Sequence, residues 1–116
     1  EDEPAVRSFA ARVLRQAGYC VLEAANGQHA LELAAGRDGD MVDLLLTDLV
    51  MPQMSGVELH RRLRASYPGL KTLFMSGYTD DVASYQNLPT DGVAYLQKPF
   101  TAASLSGEVQ QLLSRR

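Results

Sequence analysis

With 116 residues, 46% of them hydrophobic and 22% charged, the chain is sized for one globular domain, and its composition excludes extensive disorder. Eleven Lys and Arg against fourteen Asp and Glu give a net charge of −3, which argues against a broad basic face for nucleic acid or anionic lipid. The single cysteine, Cys20, excludes an intrachain disulfide and a cysteine zinc site, and no apolar run reaches membrane-spanning length. No signal peptide is visible, so a cytoplasmic domain with no membrane contact of its own is expected, whether or not its parent chain is anchored.

The predicted elements follow regular punctuation. Pro4 suits the first turn of a helix with Val6, Phe9, Ala10, Val13 and Ala17 on one face and Gly18 as its stop. Cys20-Val21-Leu22 reads as a short strand, with Cys20 as a small buried hydrophobe. Asn26 caps a second helix carrying Ala30, Leu31 and Ala34, which ends at Gly36. The continuously apolar run Asp43 to Thr47 reads as a strand buried on both faces. Ser55 and Glu58 form a capping-box pattern for a helix holding Leu59 and Leu63 that stops before Pro68-Gly69. Leu73-Phe74-Met75 is the next strand. Residues 80–88 make a weak helix broken by Pro89 and Gly92, and Val93 to Leu96 form the last strand. Thr101 caps a final helix with Leu105, Val109 and Leu112 facing inward.

Alternating strands and helices predict one α/β domain over residues 1–116, a doubly wound parallel sheet with right-handed crossovers. Such a domain normally opens with a strand, whereas this chain opens on acids and a helix. The expectation is that the first strand is missing and the chain N-terminally trimmed.

Ligands of open parallel sheets bind beyond the carboxyl ends of the strands. Asp48 and Ser76 end two of the predicted strands, Lys98 follows a third, and Glu1 and Asp2 would end the missing one. A carboxylate can act as a nucleophile and form an acyl phosphate. Magnesium takes hard oxygen donors and offsets the repulsion of clustered carboxylates. A lysine and a hydroxyl suit phosphoryl oxygens.

Glu1-Asp2-Glu3-Pro4, Leu44 to Pro52, Met54-Ser55-Gly56, Met75-Ser76-Gly77-Tyr78 and Lys98-Pro99-Phe100 resemble, in order, the landmarks of response-regulator receiver domains. The resemblance spans essentially the whole chain. It implies a flavodoxin-like fold with strand order 2-1-3-4-5, Asp48 as phosphoacceptor, and Mg2+ held by Asp2, Asp48 and the Val50 carbonyl with help from Glu1. It further implies Lys98 paired with the carboxylate, a cis Lys98–Pro99 bond, Ser76 on the phosphoryl group, and Tyr95 as the aromatic that turns inward.

Taken singly, these residues have plainer readings. Glu1 to Glu3 suit any helix start, Ser76 a turn, Lys98 a surface and Tyr95 a half-buried core position. Met51, Met54 and Met75 read as packing, and His29 and His60 have no partners for metal binding or phosphorylation.

The function implied is phosphorelay signalling: a phosphohistidine of a histidine kinase or histidine phosphotransfer domain donates to Asp48, and a conformational switch carries the signal. The fourth helix, fifth strand and fifth helix would form the responding face and a homodimer contact. The phrase around Lys98 is similar to receivers of hybrid histidine kinases, with a stand-alone or transcription-factor regulator as the alternative. An aspartate-nucleophile phosphohydrolase fits poorly, because the position two after Asp48 is apolar Val50. Val50 and Tyr78 also predict slow self-dephosphorylation.

Overall fold

Three parallel strands in the order β1-β2-β3 form the sheet in a computed structural model of the chain, which describes residues 3–36, 42–51, 53–77 and 91–114. The elements are α1 (Pro4–Gln16), α2 (Gly27–Ala35), β1 (Leu44–Asp48), α3 (Gly56–Ser66), β2 (Lys71–Ser76), β3 (Val93–Gln97) and α4 (Ala102–Ser114). The strands are the third, fourth and fifth of the expected 2-1-3-4-5 order. The strand expected ahead of Glu1 and the weak helix at 80–88 lie outside the described residues.

Local chemistry sets the helix ends. Gly18 takes φ +99 after α1; its N–H bonds Arg15 O at 3.0 Å, and Tyr19 N–H bonds Leu14 O at 3.1 Å. This pair of bonds closes the helix on its own carbonyls, and only glycine adopts that backbone cheaply. Asn26 Oδ1 accepts from His29 N–H at 2.8 Å and caps α2. Ser55 Oγ likewise accepts from Glu58 N–H at 3.2 Å, but the Glu58 side chain pairs with Arg62 at 3.0 Å, so only half of the expected capping box forms. At α4 the box is complete with serine in place of an acid: Thr101 and Ser104 exchange backbone-to-hydroxyl bonds at 3.0 Å each.

The sheet buries both faces, as its continuous apolar runs require. On one face Leu73 meets Ala10, Val13 and Leu14 of α1 and Leu105, Val109 and Leu112 of α4. On the other, Leu45 meets Leu59 and Leu63 of α3, with Ala30, Leu31 and Ala34 of α2 packed against them. Each fully buried leucine contributes about 2 kcal/mol by leaving water, so side chains such as Leu70, Leu73, Leu105 and Leu112 contribute much of the fold's stability. Ala17, expected on the inner face of α1, is exposed at its last turn.

One predicted strand does not form. Cys20 to Leu22 make no ladder bonds among the described residues; Cys20 is exposed, and Leu22 is 49% exposed. Side chains hold this segment instead: Arg15 donates to Val21 O at 3.1 Å and pairs with Glu23 at 2.9 Å. A cleft of about 1050 Å³, lined by Ala10, Leu14, Val21, Leu44, Leu46 and Met51, separates it from β1. A strand is defined by a neighbour to bond with, and in the expected 2-1-3-4-5 order the neighbour of this segment is the first strand, which lies outside the described residues, not β1.

Candidate functional site

Sheet register brings three polar residues to one edge. Asp48 is the last residue of β1 and pairs with Met75; Ser76, next along β2, pairs with Gln97, after which Lys98 leaves β3. The ladder runs on past the strand ends: Leu49 N–H bonds Met75 O at 2.9 Å, and Lys98 N–H bonds Ser76 O at 2.7 Å. The Lys98–Pro99 peptide is cis, as the resemblance implied.

Lys98 Nζ lies 2.5 Å from Asp48 Oδ1, and Asp48 is only 4% exposed. A carboxylate so poorly hydrated is stable as an anion only beside a positive charge. Its other oxygen, Oδ2, is buried and accepts no hydrogen bond among the described residues. The loop beyond folds back over the strand end. Gly56 N–H bonds Leu49 O at 3.0 Å, and a Cβ at Gly56 would overlap the Asp48 carbonyl oxygen. Gln53 turns this loop with φ 71, a left-handed conformation that costs a non-glycine residue energy.

Of the residues expected at the site, Asp48, Ser76 and Lys98 converge, and Ser76 is 4% exposed. Val50 is 54% exposed on the loop two residues past Asp48. Glu1 and Asp2, together with Tyr78, lie outside the described residues. Tyr95 is half-buried; its ring stacks on Phe74 at 5.4 Å, and burial raises its hydroxyl above the usual tyrosine range. Met51 and Met75 are core residues and Met54 packs against the core, as expected.

His60 was not foreseen as part of any network. It is 3% exposed, its Nδ1 lies 2.7 Å from Thr72 Oγ1, and its ring sits 5.6 Å from Phe74. Burial, and then Arg64 and Arg61 nearby, lower its pKa from 6.5, so it is neutral near pH 7. The available signal was spacing: Gly56, His60 and Leu63 share the inward face of α3, and Thr72 and Phe74 alternate on β2.

Among the described residues no three His, Cys, Asp or Glu side chains gather to hold a metal ion. Among the described residues Asp48 supplies the buried carboxylate at the edge, with backbone carbonyls following it in the loop. These are hard oxygen donors, and magnesium is ordinarily held by only one or two carboxylates with water completing its shell. The donor set present therefore fits magnesium.

A parallel doubly wound sheet with a buried Asp–Lys pair beyond its carboxyl edge defines an α/β domain with a polar site at that edge. Comparison with known proteins makes the class definite. Residues 1–110 match the response regulator receiver domain family, and the chain belongs to it. It is 43% identical over 117 residues to the sensor kinase CckA of Brucella abortus, covering all of this chain and 12% of that protein. It is 34% identical to the response regulator receiver protein CpdR of the same organism, covering 97% of this chain and 92% of CpdR. Among solved structures, the receiver domain of a hybrid histidine kinase CckA superposes with TM-score 0.81 at 40% identity, covering 98% of this chain and 94% of that one. A response regulator receiver protein from Sinorhizobium medicae gives TM-score 0.84 at 27% identity, covering 97% and 89%. The chain thus spans a small part of the kinase it resembles and nearly all of CpdR.

Proposed function

We propose that this receiver domain takes a phosphoryl group from a phosphohistidine onto Asp48, and that it does so as the receiver of a hybrid histidine kinase. The observation that carries the first part is the buried Asp48–Lys98 pair at the carboxyl edge of the sheet. An Asp48 carboxylate oxygen attacks phosphorus, the P–N bond of the donor breaks, and its electron pair stays on the imidazole nitrogen. The product is an acyl phosphate. Lys98 moves its charge from the carboxylate to the phosphoryl oxygens, and the Ser76 hydroxyl donates to one of them. Asp48, Asp2 and the Val50 carbonyl, with Glu1 assisting, would hold Mg2+, which would neutralise charge on the phosphoryl group. Tyr95 turns toward the space that Ser76 leaves, and the surface around β3 and α4 changes accordingly.

The donor is a histidine kinase or a histidine phosphotransfer domain, and the setting is cytoplasmic. No helix among the described residues is long and apolar enough to cross a membrane. The likeness to the Brucella sensor kinase supports the hybrid-kinase setting; the match over 92% of CpdR favours a stand-alone regulator as the second reading. Incubation with acetyl phosphate and Mg2+, followed by intact mass measurement, tests the acceptor. Wild type should gain one phosphoryl group and Asp48→Asn none. Labelling of that variant would refute the assignment.

A further inference from the structure

Three rings form a column through the face of the sheet that α3 covers. Tyr95 of β3 stacks on Phe74 of β2 with centroids 5.4 Å apart and planes 20° apart; the two residues are also aligned partners in the ladder. On α3, His60 meets the same Phe74 at 5.6 Å with planes 60° apart. Phe74 is fully buried, so its ring cannot shift without disturbing both neighbours. His60 is itself fixed by its 2.7 Å hydrogen bond to the buried Thr72 hydroxyl, one strand position pair away from Phe74. One turn further along the same helix face, Arg64 donates to Asp91 O at 2.8 Å, where the chain enters β3. Helix α3 thus holds the strand that carries Tyr95 at its entry and, through Phe74, at Tyr95 itself.

We propose that His60 and Phe74 are positioning residues that hold Tyr95 in its resting orientation and thereby set how strongly phosphorylation must pull to turn it. This role rests on Tyr95 being the aromatic that turns, the reading given above. A ring leaving a stack loses edge and face contacts that a non-aromatic neighbour never supplied. Removing the column therefore lowers the cost of the turned state, whereas a planar ring at position 60 preserves it even without the hydrogen bond.

The test uses beryllofluoride as the phosphoryl mimic and fluorotyrosine labelling of the protein that carries this chain, with the Tyr95 resonance assigned by Tyr95→Phe. In wild type the Tyr95 signal should shift as beryllofluoride binds. In Phe74→Leu and His60→Gln the midpoint of that shift should fall about two- to ten-fold, the equivalent of one lost aromatic contact. His60→Phe should titrate like wild type, although it loses the bond to Thr72. Leu73→Val, a core change on the opposite face, controls for general destabilisation and should leave the midpoint unchanged. If beryllofluoride binds but Tyr95 never shifts, the reading of Tyr95 as the moving aromatic fails. If Tyr95 shifts but the midpoints of Phe74→Leu and His60→Gln equal that of wild type or of Leu73→Val, the column is mere packing and the proposal fails.

Discussion

Lys98 Nζ and Asp48 Oδ1 approach to 2.5 Å although the two residues are fifty positions apart in sequence, one ending β1 and the other just past the end of β3, with β2 between those strands. The lysine reaches across the end of the middle strand, and its backbone N–H on Ser76 O anchors the loop it extends from. The aspartate is the more buried partner, with 6% of its side chain exposed against 19% for the lysine. That inequality makes the two ends of the pair respond differently to mutation.

Lys98→Met leaves a buried carboxylate without its cation and should destabilise the chain by about 2 kcal/mol in metal-free buffer. Asp48→Asn leaves a lysine long enough to reach water and should cost far less. Urea unfolding of both variants measures the difference. Mg2+ should restore much of the loss in Lys98→Met, since a cation near Asp48 replaces the missing charge; equal destabilisation by the two substitutions would contradict this account.

Two glycines in helices should respond oppositely to alanine. Gly56→Ala drives a Cβ into the Asp48 carbonyl oxygen, a backbone atom that cannot swing aside. It should cost about 3 kcal/mol and impair labelling at Asp48, because relief moves the strand end. Gly107, inside α4, has open space where its Cβ would go, so Gly107→Ala should stabilise by about 0.5–1 kcal/mol. Thermal unfolding distinguishes the two signs.

His60 gives stability a pH dependence of definite sign. Its folded pKa is lowered below 6.5, chiefly by burial, so folding favours the neutral ring. Its contribution is fully present above the unfolded value and is lost as pH falls below it. Wild type should therefore lose more stability than His60→Gln between pH 7 and pH 5. A parallel loss in the two proteins would mean that the buried ring stays hydrated enough to protonate freely.

Chelating Mg2+ before adding acetyl phosphate should abolish labelling of Asp48 while leaving the circular dichroism spectrum unchanged. Once labelled, the protein should release phosphate slowly, the expectation that an apolar residue two after Asp48 (Val50) and a bulky aromatic two after Ser76 (Tyr78) give in sequence. Phosphate release with a half-life of only seconds at neutral pH would contradict that expectation.

Much of this was readable locally. Asn26, Ser55, Thr101 and Gly18 mark helix ends because capping is a bond between residues a few positions apart, and all four act as read. Asp48, Ser76 and Lys98 were legible as strand-end residues, since the end of an apolar run is a property of the run itself. The second predicted strand failed for the converse reason: Cys20 to Leu22 have the composition of a strand, but ladder bonds depend on a neighbour that composition does not specify.

The sequence alone determined which residues could do chemistry and the parallel α/β order that sends them to one edge, because apolar runs, caps and turn residues act over short range. Only the tertiary structure decided that Lys98 meets Asp48, that Gly56 must lack a side chain beneath the Asp48 carbonyl, and that His60 backs Phe74 against Tyr95. Those contacts join elements distant in the chain. Register and packing set them, and a single sequence read along its length carries no term for either.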